Sequence, residues 1–219
     1  MNPALKIDFV SDVSCPWCVI GLEALETAIA QLGGELKTEI HFQPFELNPQ
    51  MPPEGQDIAE HLAQKYQATP EQSAQTREMI RARGAEVGFE FAMDKRGRIY
   101  NTFDAHRLLH WAQQEGRQLA LKHALFKAYF TDGENPSAHE VLVRVAGVAG
   151  LDAARAQAIL SSDEFAEEVR RQERFYLDRG IHAVPAVIVN GRHLLQGGQT
   201  AQVFEQALRH IAAEPKPQS

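Results

Sequence analysis

The sequence predicts an α/β fold, a small mixed sheet domain interrupted by a large all-helical insertion. Three observations predict it. A β-favouring run near the start leads straight into a helix-period segment. A long central stretch then reads almost entirely as helix. Strand character returns only near the C-terminal end, as a hairpin pattern followed by one more helix.

Taken in order, Lys6 to Val10 (KIDFV) reads as a strand because it is short, apolar and β-favouring. SDVSCPWC follows. Leu22, Leu25, Ile29 and Leu32 then recur at helical spacing, and Gly33-Gly34 stops the helix. Thr38 to Leu47 alternates as a second strand until Pro44 interrupts it, and NPQMPPEG marks a loop. Helices are expected at 57–67, 70–87, 103–115, 117–131, 137–149, 152–161 and 163–179, with a short extended piece at Phe89 to Met93. Ala186 to Val189 is a buried-strand pattern. Asn190-Gly191 is a two-residue hairpin signal, and His193 to Gln196 is the returning strand. Thr200 to Ala212 closes the chain as an amphipathic helix. Without the helical block the order is β-α-β-β-β-α, that of a thioredoxin fold. The expected division is a discontinuous thioredoxin-fold domain at 1–50 and 180–219, with a helical insertion domain at 51–179.

The 219 residues are enough to bury a core without metal or disulfide staples. The net charge of −7 argues against nucleic acid and anionic membrane as partners. Met1 to Val10 is too short and polar for a signal-peptide core, and no apolar run approaches the roughly 20 residues of a membrane span. The expected location is the cytoplasm, where most thiols are kept reduced. The oligomeric state is left open between monomer and homodimer.

The two cysteines, Cys15 and Cys18, are the sequence's sharpest chemical feature. They are too close together to frame a disulfide scaffold, and alone they cannot complete a tetrahedral zinc site. At a strand-to-helix junction, two intervening residues bring both sulfurs within bonding reach across the first turn. The helix N-terminus then favours a thiolate on Cys15, and Cys18 resolves the mixed disulfide. Half a zinc site completed by His41, His106, His110 or His123 is the competing reading, as are two unrelated core cysteines. No histidine pair stands near the cysteines at ligand spacing, so no metal is expected. Pro16 fits the first helical turn and stiffens it. Trp17 either stacks on a substrate or packs against the insertion.

DFVSDVSCPWCVIGLEAL, NTFDAHRLLHWA with AYFTDGENPSAHEVLV, and GIHAVPAVIVNGRHLLQGGQ together resemble the DsbA-like thioredoxin superfamily, most closely its FrnE-type subgroup. The resemblance covers nearly the whole chain. It implies a helical domain lying over the active site and a cis peptide bond between Val184 and Pro185 beside Cys15. The backbone of that loop would pair with an extended substrate. It also implies that Asn101, His106 and Arg107 line the substrate groove, with Arg107 holding a carboxylate or supporting the Cys15 thiolate. Helix capping by Asn101 or Thr102 and a buried salt bridge of Arg107 are the structural alternatives. Two features depart from the subgroup. Further C-terminal cysteines are missing, and HAV precedes Pro185 where a glycine-containing GV is usual.

The expected function is therefore dithiol–disulfide exchange with disulfide- or thiol-bearing proteins. It requires no cofactor, and glutathione is a candidate redox partner. The alternative is a glutathione-dependent isomerase or transferase acting on a small aromatic molecule. Relatives of that type usually have serine where this chain has Cys15. A non-enzymatic binding module that uses the groove between the two domains is a third class.

Overall fold

The computed structural model describes residues 4–214. β1 (Leu5–Ser11) runs into α1 (Pro16–Gln31), and β2 (Thr38–Pro44) follows. Next come β3 (Gln56–Asp57), α2 (Ile58–Tyr66), α3 (Pro70–Glu86), β4 (Arg98–Ile99), α4 (Phe103–Gln114) and α5 (Gln118–Phe126). A π-helical turn (Lys127–Thr131), α6 (His139–Val148), α7 (Ala153–Leu160) and α8 (Ala166–Leu177) complete the block. β5 (Ala186–Val189), β6 (His193–Gln196) and α9 (Ala201–Ala213) close the fold. Among the described residues no helix is long and apolar enough to cross a membrane.

The main sheet has the order β2-β1-β5-β6. β1 pairs in parallel with β2 and antiparallel with β5, so it is central. Its burial matches that position, since every residue of β1 except Lys6 is buried. Ile7 and Phe9 face the core made with α1 and α9, where Leu22, Leu25, Phe204 and Leu208 meet Val187 and Val189. Val10 points the other way, into a cluster with Tyr176 of α8, Ile181 and Ala186. Helices therefore cover both faces. Phe9 stands opposite Phe42 in the register, and their rings meet edge to face with centroids 5.7 Å apart.

The β5–β6 turn uses the residues the motif calls for. Asn190 and Gly191 both have positive φ, 53° and 68°, and Arg192 N–H donates to the Val189 carbonyl at 3.1 Å. Val189 pairs with His193, so Arg192 belongs to the loop as well.

The helical block feeds two cores. Leu108, Leu121, Leu125, Leu142, Val145 and Ile159 form one of them, and Val13 from the β1–α1 loop inserts into it. Ile80, Phe91, Phe126, Tyr129 and Phe130 join the core of the sheet instead. The buried Gln118 fixes the join of α5 to the sheet. Its amide accepts from Phe42 N–H at 2.9 Å and donates to the Phe42 carbonyl at 3.1 Å and the Leu109 carbonyl at 3.2 Å.

Three expectations are corrected here. Phe89 to Met93 is not extended strand. Its Phe91 ring packs against Gly84 of α3, where a Cβ would lie 2.3 Å from Cδ2. The expected helix at 117–131 breaks into α5 and the π-helical turn. Lastly, β3 and β4 form a two-residue antiparallel ribbon across the block, and strands that short carry no readable alternation.

Candidate active site

The strand-to-helix junction positions the cysteines. Cys15 is the N-cap of α1 in extended conformation, and Pro16 begins the helix, where its missing N–H costs nothing. No acidic side chain sits in the first turn of α1 to compete for the positive end of the helix dipole. Cys15 is 3% exposed and Cys18 fully buried, and both are free thiols. The peptide bond between Val184 and Pro185 is cis. Across that loop, the Cys15 thiol donates to the Val184 carbonyl at 3.7 Å. Burial first, then the hydrogen bond and charge of Cys15, push the Cys18 thiol well above the ordinary range. The pair is therefore asymmetric, with one sulfur at the helix cap and one sealed beneath it.

Close backbone approach makes this packing possible. A Cβ on Gly21 would stand 3.1 Å from Cγ of Pro185, and one on Gly198 would stand 3.2 Å from the Trp17 carbonyl. Gly197 N–H donates to the Pro185 carbonyl at 2.8 Å, tying the loop after β6 to the proline. Trp17 is half-buried and packs against both this loop and the sheet core. Tyr66, at the end of α2, stands nearby and open to solvent. Its phenol is pushed up by partial burial and then by the charge of Cys15.

Beneath the cysteines lies a buried polar layer. Asp12 is 1% exposed and accepts from Ser14 N–H at 3.2 Å, the Ser14 hydroxyl at 3.0 Å and Leu47 N–H at 2.7 Å. Burial raises its carboxyl. The adjacent His106, with Leu47 N–H and the Thr102 hydroxyl, outweighs that and holds it below the ordinary value. His106 Nε2 stands 3.6 Å from Asp12 Oδ1. Lys122 of α5 is also fully buried, over the rings of Phe42 (5.6 Å) and Phe126 (4.8 Å).

The three groove candidates separate. Arg107 does not face a groove. Its guanidinium binds Asp104 at 2.8 Å and the carbonyls of Ile159, Ser162 and Glu164, because its face of α4 packs on the end of α7. His106 is 3% exposed and sits behind the active-site loop against Asp12 rather than on an open surface. Asn101 caps Phe103 N–H at 2.8 Å and donates to Glu46 at 3.3 Å. Glu46 also pairs with Arg170, which in turn reaches Glu173. Burial and then the nearby Glu173 raise the Glu46 carboxyl.

The sequence reading missed Asp12, Lys122, Tyr66, Gly21 and Gly198. Two of these left a signal. Asp12 is an acid three residues before Cys15, and Lys122 shares the apolar face of α5 with Phe126. One other group, Glu23, Glu26 and His123, brings metal-ligand atoms close together. Both ring nitrogens of His123 are spent on the two carboxylates, at 3.3 and 2.7 Å, so the group is an ion pair between α1 and α5.

Comparison with known proteins agrees with this architecture. Residues 6–209 match the DSBA-like thioredoxin domain family. The crystal structure of a probable DsbA oxidoreductase from Streptomyces coelicolor is similar at 32% identity and a TM-score of 0.90, covering 98% of this chain and 93% of that one. The uncharacterized protein YwbO from Bacillus subtilis is 27% identical over 206 residues, 93% of this chain and 96% of its own. The cytosolic disulfide reductase DsbM from Pseudomonas aeruginosa, solved with GSH, shares the fold at a TM-score of 0.64 and 16% identity, covering 94% of this chain and 98% of that one. The chain belongs to the DsbA-like thioredoxin-domain family of oxidoreductases.

Proposed function

We propose that the protein exchanges disulfides with thiol- or disulfide-bearing proteins through the Cys15–Cys18 dithiol, with glutathione as a second partner. The observation that carries this reading is the placement of Cys15. Cys15 is the N-cap residue of α1 and its thiol donates to the Val184 carbonyl beside Pro185, while Cys18 waits one turn below. In the reducing direction, the Cys15 thiolate attacks one sulfur of a substrate disulfide, and the other leaves as a thiolate. The Cys18 thiolate then attacks Cys15 Sγ. The bond from Cys15 to the substrate breaks, its electron pair leaves with the substrate sulfur, and the Cys15–Cys18 disulfide forms. The substrate gains two electrons and the dithiol loses them. Two glutathione molecules would reset the pair: the first attacks Cys15 Sγ and releases the Cys18 thiolate, and the second attacks the glutathione sulfur of that mixed disulfide, releasing Cys15 and leaving glutathione disulfide.

In this reading the Val184 backbone aligns an extended substrate, Pro16 and Trp17 shape the rim, and residues 51–179 cover the site. The chemistry uses no metal or organic cofactor. With two cysteines in one redox motif, the cytoplasm is the proposed location and the FrnE-type subgroup the proposed placement. Asp12 and its hydrogen bonds brace the loop under the nucleophile. Cys15 itself argues against the glutathione-dependent isomerase, in which the thiol of glutathione does the work and a second reactive pair would be redundant.

The test is a trapping experiment. With a disulfide-bearing protein, Cys18→Ala should accumulate a mixed disulfide through Cys15. Cys15→Ser should trap none and lose exchange. Glutathione-dependent turnover of a small aromatic substrate that survives Cys15→Ser would instead establish the isomerase.

A further inference from the structure

Tyr66 closes α2 with its ring 58% exposed, and the fold fixes it in place through its neighbour. The Lys65 ammonium donates to the Leu47 carbonyl at 2.7 Å and to Asn48 Oδ1 at 2.8 Å, and it lies 5.5 Å from the centre of the Tyr66 ring. A full positive charge is thus spent on a backbone carbonyl and a side-chain amide of the segment that leaves β2. Leu47 in turn is tied to the active-site loop. Its N–H donates to the Asp12 carboxylate at 2.7 Å, and the Asp12 backbone carbonyl accepts from Cys15 N–H at 3.3 Å. A line of hydrogen bonds therefore runs from the backbone of the nucleophile to the helix end that carries Tyr66.

The helix end is itself well defined. Asp57 caps the start of α2, accepting from Ala59 N–H at 2.8 Å and Glu60 N–H at 3.1 Å. Directly after Tyr66 the chain turns off the helix axis. Gln67 is left-handed with φ of 55°, its N–H donates to the Ala63 carbonyl at 3.0 Å, and Ala68 N–H donates to that of Leu62 at 3.4 Å. A single exposed aromatic ring is ordinary on a protein surface. This one continues the apolar surroundings of the thiols, because Trp17, Leu47 and Val184 are half-buried and pack on the core that contains Cys15 and Cys18. The phenol feels the charge of Cys15 in addition to its own partial burial, and both push it up. It therefore stays uncharged at neutral pH and adds no negative charge beside a Cys15 thiolate.

We propose that Tyr66 is a contact for the polypeptide that carries the substrate disulfide, selecting chains with an aromatic side chain beside the reacting cysteine, and that Lys65 is the positioning residue that holds it there. This rests on the exchange reading above. The selected substrate class is an unfolded or extended polypeptide, since a folded surface rarely offers both a disulfide and a free aromatic ring next to it. A substrate ring laid against Tyr66 is worth roughly 3–10-fold in affinity over a serine at the same place. Small disulfides bring no such side chain, so the contact separates protein substrates from glutathione.

The experiment separates binding from chemistry. Two labelled peptides carry serine in place of the reacting cysteine and differ only in Phe or Ser beside it. Each is titrated against the protein by fluorescence anisotropy. The Phe peptide should bind roughly 3–10-fold tighter. Tyr66→Ala should bring the two Kd values together, and Tyr66→Phe should keep them apart. Lys65→Met should narrow the gap, because the end of α2 loses its hold on Leu47 and Asn48. With the cysteine restored as a mixed disulfide with 2-mercaptoethanol, the same preference should appear in KM and not in kcat. Tyr66 lies on the surface, so its substitutions keep the fold, which circular dichroism checks. Equal affinity of the unsubstituted protein for the two peptides would overturn the proposal, as would a preference that survives Tyr66→Ala. The binding titration involves no thiol chemistry. Its outcome therefore stands apart from that of the trapping experiment.

Discussion

Replacing His123 with Gln should cost stability in a way that depends on pH. The imidazole bridges Glu23 and Glu26 of α1 from its place on α5, and the hydrogen bonds to those carboxylates raise it from 6.5 to about 9 against the pull of burial. At roughly 1.4 kcal/mol per pH unit, the upper bound is about 3 kcal/mol. A side chain 34% exposed is screened by solvent, which reduces the contribution to about 1–2 kcal/mol. The folded state binds this proton more tightly than the unfolded chain. Its stabilisation is therefore fully present below pH 6.5 and is lost as pH rises through about 9. Urea unfolding of both proteins at about pH 6 and about pH 10 measures it, with the difference near 1–2 kcal/mol at the first and close to zero at the second. A difference that is the same at both pH values would refute the assignment, because lost packing does not titrate.

Lys122 has the opposite sign. Its folded value, about 8, lies below the ordinary 10.5, so the charged form is penalised on folding below pH 8, and the penalty fades as pH rises toward 10.5. Lys122→Met should raise stability at neutral pH by on the order of 1–3 kcal/mol, an advantage that thermal melts should show shrinking in alkali. Arg107→Met should destabilise by about 2–4 kcal/mol, since the carbonyls of Ile159, Ser162 and Glu164 lose their donor. The exchange rate per folded molecule should stay unchanged, and a large loss of that rate would return Arg107 to the groove. Gly84→Ala should cost at least about 2 kcal/mol by denaturant titration, because its methyl would overlap the Phe91 ring 2.3 Å away.

The sheet, the first helix and the closing hairpin were legible in the sequence because each rests on a local signal. KIDFV is short and apolar, CPWC sits before a helix-period run, and Asn-Gly tolerates two left-handed residues in succession. The helical block was legible in number but not in internal detail. The break at Lys127 and the β3–β4 ribbon depend on contacts from other parts of the chain: the Tyr129 hydroxyl donates to the Arg98 carbonyl at 3.0 Å, and Thr131 to that of Glu90 at 2.7 Å. The same reason explains the candidate residues. Asn101, His106 and Arg107 share one polar segment, and nothing in their spacing shows that the first two face Glu46 and Asp12 while the third turns to α7. The polar layer under the cysteines unites Asp12 and Lys122 from positions 110 residues apart, and only the docking of α5 brings them together.

That docking also decides how the sheet can grow. β2 is an outer strand, and an outer strand normally leaves a row of N–H and C=O groups open to any passing chain. At Phe42 the Gln118 amide takes both groups, standing in for one residue of a fifth strand. A foreign segment arriving on this side meets a position already filled, with α5 behind it. A single buried glutamine thus serves as an end-stop against intermolecular β-pairing, a defence that aggregation assays on Gln118→Leu would expose directly.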